Sequence, residues 1–262
     1  MTVNGTPESS DDRVVSPLAE LGLVIDEVDD ELHGRADVVA NMWAPGTESL
    51  RASILVTWAD TILGLLAVRA LAPRVPVTLE LDIHLFESIC GTPTIELIAR
   101  VTKLGSTVQV VSVDIRSNGE RAGFGHSLFM ASPDPRVSMP PGNWALERFA
   151  SRRGVLTRPL AERVGCVRTG PGTAELPLGP SLLNQSKSMN GGLLAVVVEE
   201  AALSARNIPT SLMSLQMRYL RPVRSGPAVA RADVQGDLGE IEVTDAATGT
   251  LAVVATARFA PR

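Results

Sequence analysis

The sequence predicts an α+β protein made of two tandem units, each a long central helix wrapped by an antiparallel sheet. Three observations predict it. Short motifs recur at spacings of 130 to 142 residues, each half carries one apolar helical stretch, and alternating strands follow that stretch both times. The 262 residues suit one large domain or two of half the size, and the repeat favours two fused units.

The repeat begins at Pro17-Leu18-Ala19-Glu20, which returns as Pro159-Leu160-Ala161-Glu162 at an offset of 142. Ala36-Asp37-Val38 matches Ala174-Glu175-Leu176 at 138, and residues 53–59 match 192–198 at 139, which brings Asp60 onto Glu199. Ile83 and Phe86 match Met217 and Leu220 at 134; Gly105 and Asp114 match Gly236 and Asp245 at 131; Phe129 matches Phe259 at 130. The drifts fall in loops, where insertions are tolerated.

Each half opens on a short strand region, at 21–28 and 165–176. The helices follow at 53–72 and 192–206, rich in Ala, Leu and Val on nearly every side, as in a helix buried all round. In the next strand Val77, Leu79, Leu81, Ile83 and Leu85 alternate with polar residues, and Met213, Leu215, Met217 and Tyr219 do the same in the second half. Strands at 95–101, 108–116 and 123–130 complete the first sheet, with Asn118-Gly119 as a hairpin turn. Thr248-Gly249 turns between strands 241–245 and 251–259. Ser132-Pro133-Asp134-Pro135 and Pro140-Pro141-Gly142 read as a linker leading to a short helix at 143–152. The units are therefore 14–131 and 159–262, with a disordered tail at 1–13 and the linker at 132–158.

Composition excludes several functions. A net charge of −5 and 3% aromatic residues argue against a nucleic-acid binder, which shows a basic face with stacking rings. Cys90 and Cys166 are the only cysteines and His33, His84 and His126 lack ligand spacing, so no metal site is expected. The polar, acidic N-terminus is unlike a signal peptide, and Asp60, Arg69, Glu199 and Glu200 interrupt the apolar runs, so no membrane span is expected either. The expected setting is the reducing cytoplasm.

The chemistry-bearing stretch is Asn190-Gly191-Gly192, which opens the second helix, with Glu199-Glu200 two turns further on. Glycines at a helix start leave amide N–H groups open at the positive end of the helix dipole, where an oxyanion would be stabilised. Glu199 stands eight residues after Gly191, close to the same face, and a carboxylate there would act as general base or nucleophile toward a carbonyl held at Gly191. Glu200 points about 100° away and reads as its surface neighbour. The matching triplet in the first half is Arg51-Ala52-Ser53, without glycines, yet Asp60 stands eight residues after Ala52, inside an apolar helix where an unpaired carboxylate is costly.

With Asn190-Gly191-Gly192, Glu199 and the run Tyr219-Leu220-Arg221-Pro222-Val223-Arg224-Ser225-Gly226, the chain resembles the hotdog-fold acyl-CoA thioesterases of the PaaI type, in a tandem or double-hotdog form. The resemblance implies a hydrolase of lipid metabolism that cleaves an acyl-CoA or other acyl thioester, without metal or redox cofactor, coenzyme A being part of the substrate. It implies the Gly191 amide as oxyanion donor and Glu199 as activator of water. Asn190 replaces the family's His and keeps a donor but no proton shuttle. Gly192 and Asn184 would line the substrate cleft, and Arg221 and Arg224, with Arg218, would meet the phosphates of coenzyme A. Two pseudo-equivalent clefts are expected, that of Gly191 with Glu199 ranked ahead of that of Ala52 with Asp60. Hotdog units pair further, which points to a homodimer. A non-catalytic acyl-CoA-binding or scaffold protein is the alternative. A dehydratase ranks lower, because the acid and His pair it needs is absent.

Overall fold

The computed structural model describes residues 16–134, 138–139, 146–147 and 154–261. Within them the first half runs α1 (Pro17–Glu20), β1 (Val24–Val28), β2 (Glu31–Asp37), α2 (Ala52–Leu71), β3 (Pro76–Leu85), β4 (Thr94–Leu104), β5 (Val108–Ser117) and β6 (Glu120–Ala131). The second half repeats that order as α3 (Leu160–Val164), β7 (Val167–Gly170), β8 (Thr173–Leu176), α4 (Gly191–Ser204), β9 (Leu212–Tyr219), β10 (Ala228–Gln235), β11 (Leu238–Asp245) and β12 (Thr250–Phe259). A 3₁₀ turn precedes each central helix at the same point, Ala40–Met42 and Pro180–Leu182. The tail at 1–13 and most of the helix expected at 143–152 lie outside the described residues.

The strands form one sheet of 12, in the order β1-β2-β4-β5-β6-β3-β9-β12-β11-β10-β8-β7. Read from either edge, this order is the same sequence of equivalent strands. The halves meet where β3 pairs antiparallel with β9: Asp82 faces Gln216, with Leu81 facing Met217 on one side and Ile83 facing Leu215 on the other. The offset of 134 in this region makes Asp82 and Gln216 equivalents, so the pseudo-two-fold axis passes between them. The two halves thus share one continuous sheet.

Both central helices lie inside this wrap. In α2, 14 of 20 residues are buried, and in α4, 12 of 14. An amphipathic helix would show one apolar stripe; these are apolar nearly all round because sheet and partner helix cover them. By length and hydropathy α2 could cross a bilayer, so Asp60 and Arg69 do not interrupt it as the sequence reading expects; 67% of its apolar window is instead buried in the protein. It ends at Ala72, ahead of Pro73, where a helical conformation is disfavoured. Trp58, 1% exposed, donates its indole N–H to the Leu21 carbonyl at 3.1 Å and ties the start of the unit to the helix.

Two strands escape the sequence reading, β2 and β10. In β10 three of the four inward positions, Ala228, Ala230 and Ala232, are small, with only Val234 bulky, and Val229 sits among the outward Arg231, Asp233 and Gln235, so the alternation is faint.

Candidate active site

The helices α2 and α4 run antiparallel, and each sets a carboxylate from its third turn against the start of the other. At one end Asp60 Oδ2 accepts the Gly192 N–H at 3.0 Å. At the other, Glu199 Oε1 accepts the Ala52 N–H at 2.9 Å. The sequence reading places Glu199 in a cleft with Gly191, and this is corrected. Residues eight apart share a helix face but stand about 12 Å apart along the axis, beyond the reach of one side chain. The pairs are crossed between repeats: Asp60 with Gly191-Gly192, and Glu199 with Ala52-Ser53.

The Asp60 end is open. A cleft of about 390 Å³ is lined there by Asp60, Thr61, Gly64, Leu65, Asn190 and Gly191, and continues past Thr78 to Val75, Phe129 and Met139. Asp60 is half-buried, with Thr78 Oγ1 donating to its Oδ1 at 3.4 Å. Burial raises its pKa to about 6, although the Gly192 and Thr78 hydrogen bonds work against that rise. The Gly191 N–H, first in α4, makes no hydrogen bond among the described residues. Asn190 caps the helix, its Oδ1 accepting the Leu193 N–H at 3.1 Å, and is itself a lining residue of the cleft. Tyr219 Oη donates to the Gly191 carbonyl at 3.0 Å and steadies the helix start; burial, then the Asp60 charge, keep its hydroxyl protonated.

Glycine at 192 is what lets the helices approach. A Cβ there would lie 2.9 Å from the Thr57 Cα, and the Thr57 hydroxyl already donates to the Gly192 carbonyl at 2.9 Å.

The Glu199 end is sealed. Glu199 is 0% exposed and accepts from Arg51 Nε at 2.7 Å, Ser53 Oγ at 2.5 Å and the Ala52 N–H. Arg51 reaches on to Glu200, which also accepts from Arg168 Nε at 2.6 Å. Burial alone would raise the Glu200 pKa, but Arg51 and Arg168 hold it below the ordinary carboxylate range. Burial likewise disfavours the charge on Arg51, and the two glutamates outweigh it and keep Arg51 charged. The Ala52 N–H, the Ser53 hydroxyl and the Arg51 guanidinium are each engaged here by a carboxylate. Glu200 is therefore a buried member of this cluster, not the surface neighbour the sequence suggests. The nearby Cys166 thiol is pushed up to about 12 by burial and by Glu200, so it is an inert core residue.

The other expected residues separate clearly. Gly192 gives its N–H to Asp60, so it positions the acid and offers no free donor. Asn184 lines the cleft mouth, its Oδ1 accepting from the Ser186 and Ser188 backbones at 2.9 and 3.2 Å, which fixes the loop leading to α4. Arg221 and Arg224 are exposed on the loop after β9 and do not line the cleft. Arg218 lies 3.5 Å from Glu80. No cluster of metal-ligating side chains occurs among the described residues. Arg51, Ser53, Arg168 and Thr78 carry structural roles that the sequence reading did not assign. The adjacent Glu199-Glu200 in an apolar helix was the available signal for the two arginines, since two buried carboxylates require cations.

Residues 53–123 match the family model of the thioesterase superfamily, a stretch that holds Asp60 and β3 to β5. No curated protein matches the chain. Among solved structures it resembles an acyl-ACP thioesterase from Bacteroides thetaiotaomicron, with a TM-score of 0.61 and 14% identity over 88% of this chain and 98% of that one. It also resembles the 12:0-ACP thioesterase of Umbellularia californica (TM-score 0.62, 12% identity, 90% and 100% covered). A third is the tesB protein of Mycobacterium avium subs paratuberculosis (TM-score 0.58, 15% identity, 94% and 98% covered). These likenesses span both halves, and the fold is the expected one, two hotdog units in a single chain.

Proposed function

We propose that the chain hydrolyses acyl thioesters at the Asp60 cleft. The carrying observation is the placement of a half-buried carboxylate against the Gly192 N–H, beside the open Gly191 N–H, at the start of α4. A thioester carbonyl accepting from the Gly191 N–H, with the Asn190 amide beside it, presents its carbon next to Asp60. Asp60 takes a proton from water as the water oxygen bonds to that carbon. The oxyanion that forms faces the Gly191 amide and the positive end of the helix dipole. Collapse breaks the C–S bond, and the proton held on Asp60 passes to the departing sulfur. The products are a carboxylic acid and a thiol. A thiol is a good leaving group, its ordinary pKa lying near 8.5, so the absence of a histidine at position 190 removes little from the step.

A base whose pKa lies near 6 is ionised at neutral pH yet basic enough to accept the proton. The family match over the half that bears Asp60 and the thioesterase neighbours support thioester chemistry. We assign acyl-CoA as the substrate, with coenzyme A the released thiol and the cytoplasm the setting. The carrier contacts are left to groups outside the cleft such as Arg221 and Arg224. The test is release of free thiol from a panel of acyl-CoA and acyl-carrier-protein thioesters. Turnover is expected, and Asp60→Asn lowers kcat/KM by about 10³-fold or more, in the range of a lost general base. Measurable acyl-CoA binding without turnover on any chain length would replace this reading with that of a non-catalytic binding protein.

A further inference from the structure

The cleft ends on an apolar wall that includes Phe129, and a buried polar side chain stands next to that residue on the neighbouring strand. On the inner face of the sheet, Thr78 of β3 faces Phe129 of β6, and Phe129 faces Gln109 of β5. This row leads away from Asp60, which accepts from Thr78, and Phe129 is the last of the three to line the cleft. Opposed residues on neighbouring antiparallel strands have Cα atoms roughly 5 Å apart, so Gln109 stands about 10 Å from Thr78, with Phe129 between them in the row.

Gln109 is out of place there. The other inward residues of β5 are Val111, Val113 and Ile115, all buried and apolar. Gln109 is 0% exposed, and neither its amide oxygen nor its amide nitrogen has a hydrogen-bond partner among the described residues. A buried amide with both ends unpaired is a standing penalty, and such groups in folded proteins call for an explanation. An apolar side chain of the same volume would fit the strand without that penalty.

We propose that Gln109 is a specificity-determining residue, reading a hydroxyl or keto group at the far end of the acyl chain. The inference rests on the thioester reading of the Asp60 cleft and names its substrate class: medium-length acyl thioesters oxygenated near the chain terminus. The carbonyl sits at Gly191, the chain runs past Gly64 and Leu65 along α2, and the distal oxygen reaches the Gln109 amide once the Phe129 ring rotates to another rotamer. The amide presents both a donor and an acceptor, so it serves a hydroxyl in either sense and a keto oxygen through its NH₂.

The experiment uses pantetheine thioesters of matched straight chains, with and without a terminal hydroxyl. Binding is measured by calorimetry to Asp60→Asn, which holds the ester intact, and to Asp60→Asn with Gln109→Met. Hydrolysis of the plain chains by the unaltered protein is followed in parallel. The hydroxylated chain is expected to bind about 10- to 100-fold tighter at one chain length, a preference that Gln109→Met reduces to about 2-fold. A melting temperature for Gln109→Met at or above that of the parent shows that the variant is folded. No preference at any length, or a preference that survives Gln109→Met, overturns the inference. Hydrolysis of plain chains without any preference overturns it alone; a preference without hydrolysis upholds it and overturns the thioesterase reading instead.

Discussion

The two ends of the helix pair descend from one plan and differ in chemistry. At the open end, Asp60 meets the second amide of α4 and the first, that of Gly191, is left free. At the sealed end, Glu199 is one methylene longer, reaches the first amide of α2, and is closed over by Arg51 and Ser53. Asn190 and Arg51 occupy the same position, the residue before the helix. As Asn it caps the helix beside the open cleft; as Arg it is buried and bonded to Glu199 and Glu200. A fused pair of units can hold one cleft open and convert the other into an internal ion cluster, because mutations in one half no longer alter both sites. Two separate identical subunits could not diverge in this way.

The sealed end is where the largest effect on stability is expected. Arg51→Met leaves Glu199 and Glu200 buried with one cation fewer, and should cost about 3–5 kcal/mol in urea unfolding. A loss below ~1 kcal/mol would mean that the cluster is hydrated in solution and the second cleft is not closed.

At the open end the sign reverses, since Asp60 is held in an environment that favours its neutral form. Its pKa is raised from 3.8 to about 6, so the folded state binds the proton more tightly than the unfolded chain. Stability from this group is fully present below pH 3.8 and is lost as pH rises through about 6. At pH 7 the penalty is at most about 3 kcal/mol, and Asp60→Asn should recover part of it. Activity runs the other way: kcat/KM should rise with pH through about 6 and level off above. Unfolding curves and a pH–rate profile on one preparation measure both. A flat profile across that range would remove Asp60 as the base.

The smallest effect is at Ser53, the counterpart of Gly192. Its hydroxyl bonds a charged acceptor at 2.5 Å, so Ser53→Ala should cost about 1.5–3 kcal/mol by chemical denaturation and change kcat/KM by less than about 2-fold.

Much of this was legible in the sequence. The offsets of the repeat located both helices within a residue or two. Asp60 stood out because an apolar helix does not tolerate an idle carboxylate, and Glu199 by its spacing of eight after Gly191. The crossing of the pairs was not legible, because helical periodicity gives the face on which a residue lies and not which helix packs against it. That the β3–β9 pairing sets the helices antiparallel, each acid on the other's start, is a tertiary fact. Thr78 and Gln109 were hidden for the same reason, since each gains meaning only from the residue opposite it on the next strand.

The central claim is that Asp60, and not Glu199, serves the open helix start. The most direct measurement compares Asp60→Asn with Glu199→Gln for thioester hydrolysis, with each variant shown to be folded. The account predicts that Asp60→Asn loses about 10³-fold in kcat/KM, while folded Glu199→Gln stays within about 3-fold of the parent. Loss in Glu199→Gln with activity retained in Asp60→Asn would contradict it.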